Sequence, residues 1–126
     1  MTTVVLDTNA LMMPVECDVR LFEAVDALVA DAEYVTPAAV LAELEKLREG
    51  AGAEAKAAAV GRDLAERARV VETDESYADD AVVELASGGF DGYVVTNDGP
   101  LRERLADRAV RVICLRGGNT LAVTAQ

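Results

Sequence analysis

Short β-branched runs alternate along the chain with longer segments whose apolar residues recur every three or four positions. Thr3 to Leu6 (TVVL) predicts a first strand. Val19 to Ala30 predicts a helix, because Leu21, Val25, Leu28 and Val29 share one side. Tyr34 to Thr36 predicts a short second strand. Thr36 as N-cap and Pro37 at the first helical position then open a helix that runs to about Arg48 and stops at Gly50. Ala53 to Ala68 is alanine-rich and strongly helical in propensity. Arg69 to Glu72 predicts a third strand, and Tyr77 to Ala86 a helix ending at Gly88-Gly89. Tyr93 to Thr96 (YVVT) predicts a fourth strand and Gly99 to Ala106 a helix with Pro100 in its first turn. Val110 to Leu115 (VRVICL) predicts a fifth strand, and the tail after Arg116 is expected to be short and loosely held.

Strands alternating with helices imply right-handed βαβ crossovers and a mostly parallel sheet covered on both faces. The expected fold class is α/β, a three-layer α/β/α arrangement around a five-stranded sheet. In such folds the site lies beyond the carboxyl ends of the strands.

Composition narrows the chemistry. The length of 126 residues predicts one domain over residues 1–126, and a 52% hydrophobic content is enough to fold it. No apolar run approaches the roughly 18–20 residues of a membrane span, so no membrane partner is expected. The opening MTTVVLDTN has neither the basic nor the apolar region of a signal peptide, which leads to a cytoplasmic expectation. Histidine is absent, which removes the usual general base and the commonest zinc ligand. Cys17 and Cys114 have no metal-knuckle spacing, and Cys114 sits inside an apolar run. A bound metal should therefore be a hard ion held by oxygen. The net charge is −11, from 23 acidic against 12 basic residues. That balance argues against non-specific nucleic-acid binding at low salt, and it is the composition expected of a protein adapted to very high salt.

The acids fall at telling places. Asp7 follows the first strand and Asp98 the fourth. Each can equally cap the turn or helix that comes next. Glu43 stands beside the stripe of Val40, Leu44 and Leu47, where a lone glutamate more commonly reaches solvent or pairs with Lys46 or Arg48. Asp79 and Asp80 open a helix, where the helix dipole alone favours negative charge. Taken singly, each has a plain structural explanation. Taken together, Asp7, Glu43, Asp80 and Asp98 can converge at one edge of a doubly wound sheet. Carboxylates brought together raise one another's pKa unless a cation neutralises them. An oxygen-only cluster suits Mg2+ or Mn2+, ions that lower the pKa of water and offset charge at a phosphodiester.

At this point the sequence resembles the PIN-domain nucleases over almost its whole length. VVLDTNALM looks like the family's opening motif, with Asp7 and Asn9. TPAAVLAELEKL looks like the second, with Glu43. YADDAVVELA looks like the third, where Asp80 aligns best because Ala-Val follows it and Asp79 is an auxiliary neighbour. YVVTNDGPLRERL looks like the fourth, with Asp98 as ligand and Thr96 or Asn97 supporting it. The resemblance implies a five-stranded parallel sheet and Mg2+- or Mn2+-dependent cleavage of RNA by Asp7, Glu43, Asp80 and Asp98. It implies frequent homodimers as well. It further implies a role either as a VapC-type toxin neutralised by an antitoxin protein or in processing ribosomal RNA precursors.

RNA must approach an acidic protein. Arg102 and Arg104, on the helix after Asp98, are candidates for phosphate contacts, with Arg111 and Arg116 further ones. Base stacking would rest on Tyr34, Tyr77, Tyr93, Phe22 or Phe90, most of which read as core. A phosphoacceptor receiver domain would need an acidic pair after the first strand and a lysine after the last, and both are missing. A haloacid-dehalogenase-type phosphatase would need a second aspartate where Asn9 stands. The remaining alternative is a non-catalytic PIN-like scaffold that binds RNA or protein.

Overall fold

The computed structural model describes residues 1–124. β1 (Thr2–Leu6) is followed by α1 (Thr8–Glu16) and α2 (Leu21–Leu28), and β2 (Ala32–Pro37) by α3 (Ala38–Arg48) and α4 (Gly52–Leu64). A single 3-10 turn, Ala65–Arg67, leads into β3 (Arg69–Val71). α5 (Ala78–Leu85), β4 (Tyr93–Val95), α6 (Gly99–Ala106), β5 (Arg111–Leu115) and β6 (Leu121–Val123) complete the chain. The strands lie in the order β3-β2-β1-β4-β5-β6. Every pairing is parallel except β5 with β6.

The strand order reverses direction between β1 and β4. Right-handed crossovers therefore put α1 to α4 on one face and α5 and α6 on the other. α1, α3 and α4 pack on one another, and α5 packs on β1, β2 and α6. Both faces of the central strands are covered, which is why they read as unbroken apolar runs rather than alternating ones. Val4, Val5, Leu6, Val94, Val95 and Ile113 are fully buried. The carboxyl ends of β1 and β4 meet where the order reverses, which is where open α/β sheets bind ligands.

The three-layer α/β architecture stands as the sequence implies, with differences that have local causes. α1 was not anticipated. Its residues Ala10, Leu11, Met12 and Met13 are all buried between the sheet and α4, so no polar face marks it as amphipathic. Pro14 lies inside it but only near its end, where one missing N–H is tolerable. The tail is not loosely held: Leu121–Val123 pairs antiparallel with β5, and Thr124 N donates to Val112 O at 2.8 Å. Gly117 and Gly118, at φ 70° and 48°, make the tight return that an antiparallel partner needs. Thr36 does not cap α3. It lies within β2, Pro37 holds the N-cap position, and the Thr36 hydroxyl donates to Leu6 O at 2.8 Å. Among the described residues no helix is long and apolar enough to cross a membrane.

One close approach fixes how β4 enters the sheet. A Cβ on Gly92 would stand 2.2 Å from Thr3 O and 2.7 Å from the Phe90 ring. The first obstacle is backbone and cannot swing away. Gly92→Ala is expected to destabilise the protein by about 2 kcal/mol or more through overpacking, read as a lower urea midpoint at unchanged m-value. An unchanged midpoint would show that β4 can shift without loss.

Candidate functional site

Asp7 is the first residue after β1 and the N-cap of α1, where its Oδ1 accepts from Ala10 N at 2.7 Å. Asp98, three residues past the end of β4, is likewise the N-cap of its helix, α6, its Oδ2 accepting from Leu101 N at 3.0 Å. Helix capping and a ligand role are therefore not exclusive here. Each cap engages one carboxylate oxygen and leaves the other available, and each carboxylate sits at the positive end of a helix dipole.

The supporting residues tie the strand ends together. The Asn9 side chain accepts from Asn97 N at 2.8 Å, across 88 positions of sequence. Asn97 in turn accepts from Leu115 N at 3.0 Å, which joins the ends of β4 and β5. The buried Thr96 hydroxyl accepts from Asp98 N at 3.1 Å and donates a hydrogen bond to the Asp7 carboxylate. Glu43 does not pair with Lys46 or Arg48. It accepts a short hydrogen bond from the Thr8 hydroxyl, which turns it toward the residue next to Asp7. Arg48 instead pairs with Glu45 at 3.1 Å.

The carboxylate that α5 turns into this cluster is Asp79. It lies in the field of Asp98 and Glu43 and is one of the charges acting on Asp7. Asp80, favoured by the sequence, points to α6 and forms an ion pair with Arg104 at 2.9 Å. Neighbouring residues of a helix lie about 100° apart, so the two side chains leave α5 in different directions.

Burial is the main influence on Asp7, which is only 3% exposed. It pushes the carboxyl up to about 7, with the Thr96 and Ala10 hydrogen bonds opposing and the Asp79 and Asp98 charges adding to the rise. Asp79 is also raised, first by burial and then by Asp98 and Glu43, with Arg104 pulling it back. The charges that bear on Asp7, those of Asp79 and Asp98, are negative. Among the described residues, no three acidic or sulfur side chains are drawn together tightly enough to enclose an ion. Asp7, Glu43, Asp79 and Asp98 share electrostatic reach rather than contact. Their donors are hard oxygens only, the set that fits Mg2+ or Mn2+ and not a thiophilic ion.

Arg104 is thus at the rim of the cluster, held by Asp80. Arg102 is half-buried on the same helix, and none of the ion pairs formed among the described residues includes it. Arg111 stands elsewhere. It begins β5, pairs with Asp91 at 3.1 Å and covers the Tyr93 ring at 4.2 Å, one strand length from the carboxyl ends. Phe22 is covered by Arg67, and the Tyr34 hydroxyl is engaged by Phe22 O and Asp26. Tyr77 is the exception to the core reading of the aromatics. It is 63% exposed at the N-cap of α5, two residues before Asp79.

Residues 4–118 match the PIN-like domain family. Among solved structures, the chain is similar to the PIN domain endonuclease Utp24, at 26% identity and a TM-score of 0.79, over 98% of this chain and 92% of that one. It is similar at 19% identity and a TM-score of 0.59 to a domain of a functionally unknown protein from Methanocaldococcus jannaschii, over 100% and 99% of the two chains. It is similar at 17% identity and a TM-score of 0.56 to a chain of VapBC-1 from nontypeable Haemophilus influenzae, over 84% and 94%. The last two likenesses concern the fold alone. A comparison with curated proteins gave no match. With a family match across nearly all of its length, and acids at the carboxyl ends of β1 and β4 where the strand order reverses, the chain belongs to the PIN-like domain family.

Proposed function

We propose that this protein is a divalent-metal-dependent ribonuclease, an endonuclease that hydrolyses RNA phosphodiester bonds. The observation that carries the reading is the coupling of Asp7, Asp79, Asp98 and Glu43 at the strand-order reversal, where Asp7 and Asp79 are raised by burial and by neighbouring carboxylates. These four residues would hold Mg2+ or Mn2+. A bound ion of this kind stabilises charge on a phosphoryl oxygen and makes water a better nucleophile at neutral pH.

The chain's own residues supply the rest. Asp7 and Asp98 are fixed by the helices they cap. The Thr8 hydroxyl orients Glu43, and the Asn9–Asn97–Leu115 links hold the strand ends in register. Pre-set carboxylates avoid reorganisation when the substrate arrives. Arg102 and Arg104 are proposed to take flanking phosphates, which offsets the repulsion between an acidic protein and RNA.

Of the two roles the sequence resemblance implies, the toxin role has the weaker support. The likeness to an endonuclease, Utp24, is stronger than that to the VapBC complexes, which extends to the fold alone. An antitoxin partner belongs to the weaker reading, whereas a homodimer is compatible with either. The scaffold alternative makes the opposite prediction for catalysis.

The test is cleavage of a labelled single-stranded oligoribonucleotide in high salt with Mn2+. Cleavage is expected with metal, to stop on adding EDTA, and to fall in Asp98→Asn while the helix content stays unchanged. Binding without cleavage by the folded wild type would favour the scaffold instead.

A further inference from the structure

We propose that Asp80 is a positioning residue that holds the Arg104 guanidinium at the rim of the carboxylate cluster, where Arg104 receives a substrate phosphate next to the bond that is cut. This rests on the nuclease reading above and assigns Asp80 a part different from that of a metal ligand.

The geometry comes from two helices. Asp80 lies in the first turn of α5, and Arg104 lies in the last turn of α6, the helix capped by Asp98. Their side chains meet at 2.9 Å. Arg104 also lies within electrostatic reach of Asp79, whose proton affinity it lowers, so the ion pair sits beside the cluster. The pair is 41% and 39% exposed. An ion pair that open adds little to stability, so holding the fold together is a poor account of it. Orientation is a better one. A guanidinium offers a planar fork of donors, and tying one side of it leaves the other aimed.

The surroundings leave room for a ligand. The pair opens on a groove of about 350 Å3 between α5 and α6, also lined by Glu75, Val83, Glu84 and Arg108. Glu84 is already engaged, its two oxygens accepting from Asp74 N and Glu75 N at 3.0 Å each. Arg108 donates to Arg104 O at 3.2 Å and adds a second positive charge one helical turn on. A phosphate in the groove would meet the guanidinium groups of Arg104 and Arg108.

The experiment compares wild type, Asp80→Asn, Arg104→Ala, Arg104→Lys and the Asp80→Asn/Arg104→Ala double variant. Two readouts use single-stranded oligoribonucleotides: steady-state cleavage with Mn2+, and fluorescence anisotropy with EDTA. Arg104→Ala and Asp80→Asn are each expected to raise KM and Kd about tenfold with kcat within about twofold, the signature of lost binding rather than lost chemistry. Arg104→Lys should recover only part of the loss, because an ammonium lacks the fork. The double variant should be no worse than Arg104→Ala, since Asp80 acts through Arg104. Arg104→Ala should also flatten the dependence of log Kd on log salt by about 0.7, one phosphate contact on a single strand.

A large fall in kcat for Asp80→Asn at unchanged KM would overturn the proposal and return Asp80 to the metal. Losses that multiply in the double variant would also overturn it. A wild type that binds RNA but does not cut it defeats the nuclease reading alone, because the anisotropy series still reads the Asp80–Arg104 coupling. A wild type that neither binds nor cuts defeats both.

Discussion

Replacing Asp7 with asparagine is expected to abolish cleavage and, in metal-free buffer at alkaline pH, to make the protein harder to unfold. The two effects have one cause. Asp7 is buried among negative charges, and its carboxyl is raised from 3.8 to about 7. Below pH 3.8 it is protonated in both the folded and unfolded chain and contributes no penalty. As pH rises toward 7, the unfolded chain releases this proton while the folded protein keeps it, so stability falls through that window. Above about 7 the folded protein carries the full penalty, at most about 4 kcal/mol. Asparagine removes the titration and still offers an oxygen to Ala10 N, so the cap on α1 survives.

Urea unfolding in EDTA should therefore show wild type and Asp7→Asn close together near pH 4. They should diverge by about 2–4 kcal/mol by pH 8, with the variant more stable. Mn2+ should raise the wild-type midpoint, because an ion that binds only the folded state stabilises it, and should leave the variant almost unmoved. A variant that is less stable at pH 8 would show that Asp7 holds the fold rather than straining it.

How much of this could be read from the chain depends on whether the signal was local. The positions of Asp7 and Asp98 were legible because a β-branched run followed at once by an acid and a helix start marks a strand's carboxyl end. Glu43 was legible from its place beside the Val40 and Leu44 stripe. α1 was not, because its buried residues Ala10 to Met13 are consecutive and so carry none of the periodicity that identifies a helix. β6 was not, because three residues after two glycines carry too little pattern, and its partner β5 supplies the order. The Asn9–Asn97 link was legible only as two polar residues near two acids; its 88-residue span exists in the fold alone.

The choice between Asp79 and Asp80 was the hardest to read. Both lie in a first helical turn, where the dipole welcomes either one. Nothing local separates them. What decides is how α5 rotates as Ala78, Ala81 and Val82 bury against the sheet and its neighbours, which leaves Asp79 toward the strand ends and Asp80 toward Arg104.

Asp79→Asn is accordingly expected to reduce kcat by about two to three orders of magnitude, the several kcal/mol that an ion's charge stabilisation supplies. The argument is one of placement. Asp79 acts on Asp7 and is itself acted on by Glu43 and Asp98, so it is tied to all three other acids. Asparagine keeps its size and removes its charge, so the cluster loses attraction for a cation without losing packing. The variant should need more Mn2+ to reach half-maximal activity, and saturating metal should restore only part of the rate. Its urea midpoint in EDTA should not fall, since one source of repulsion within the cluster is gone. Asp80→Asn, one residue along, should instead keep its kcat and the wild-type Mn2+ requirement. Measuring kcat and the Mn2+ midpoint of both variants side by side separates the assignments. If Asp80→Asn shows the large kcat loss and Asp79→Asn cuts like wild type, the α5 ligand is Asp80, as its Ala-Val context in the sequence suggests, and α5 must turn when metal binds.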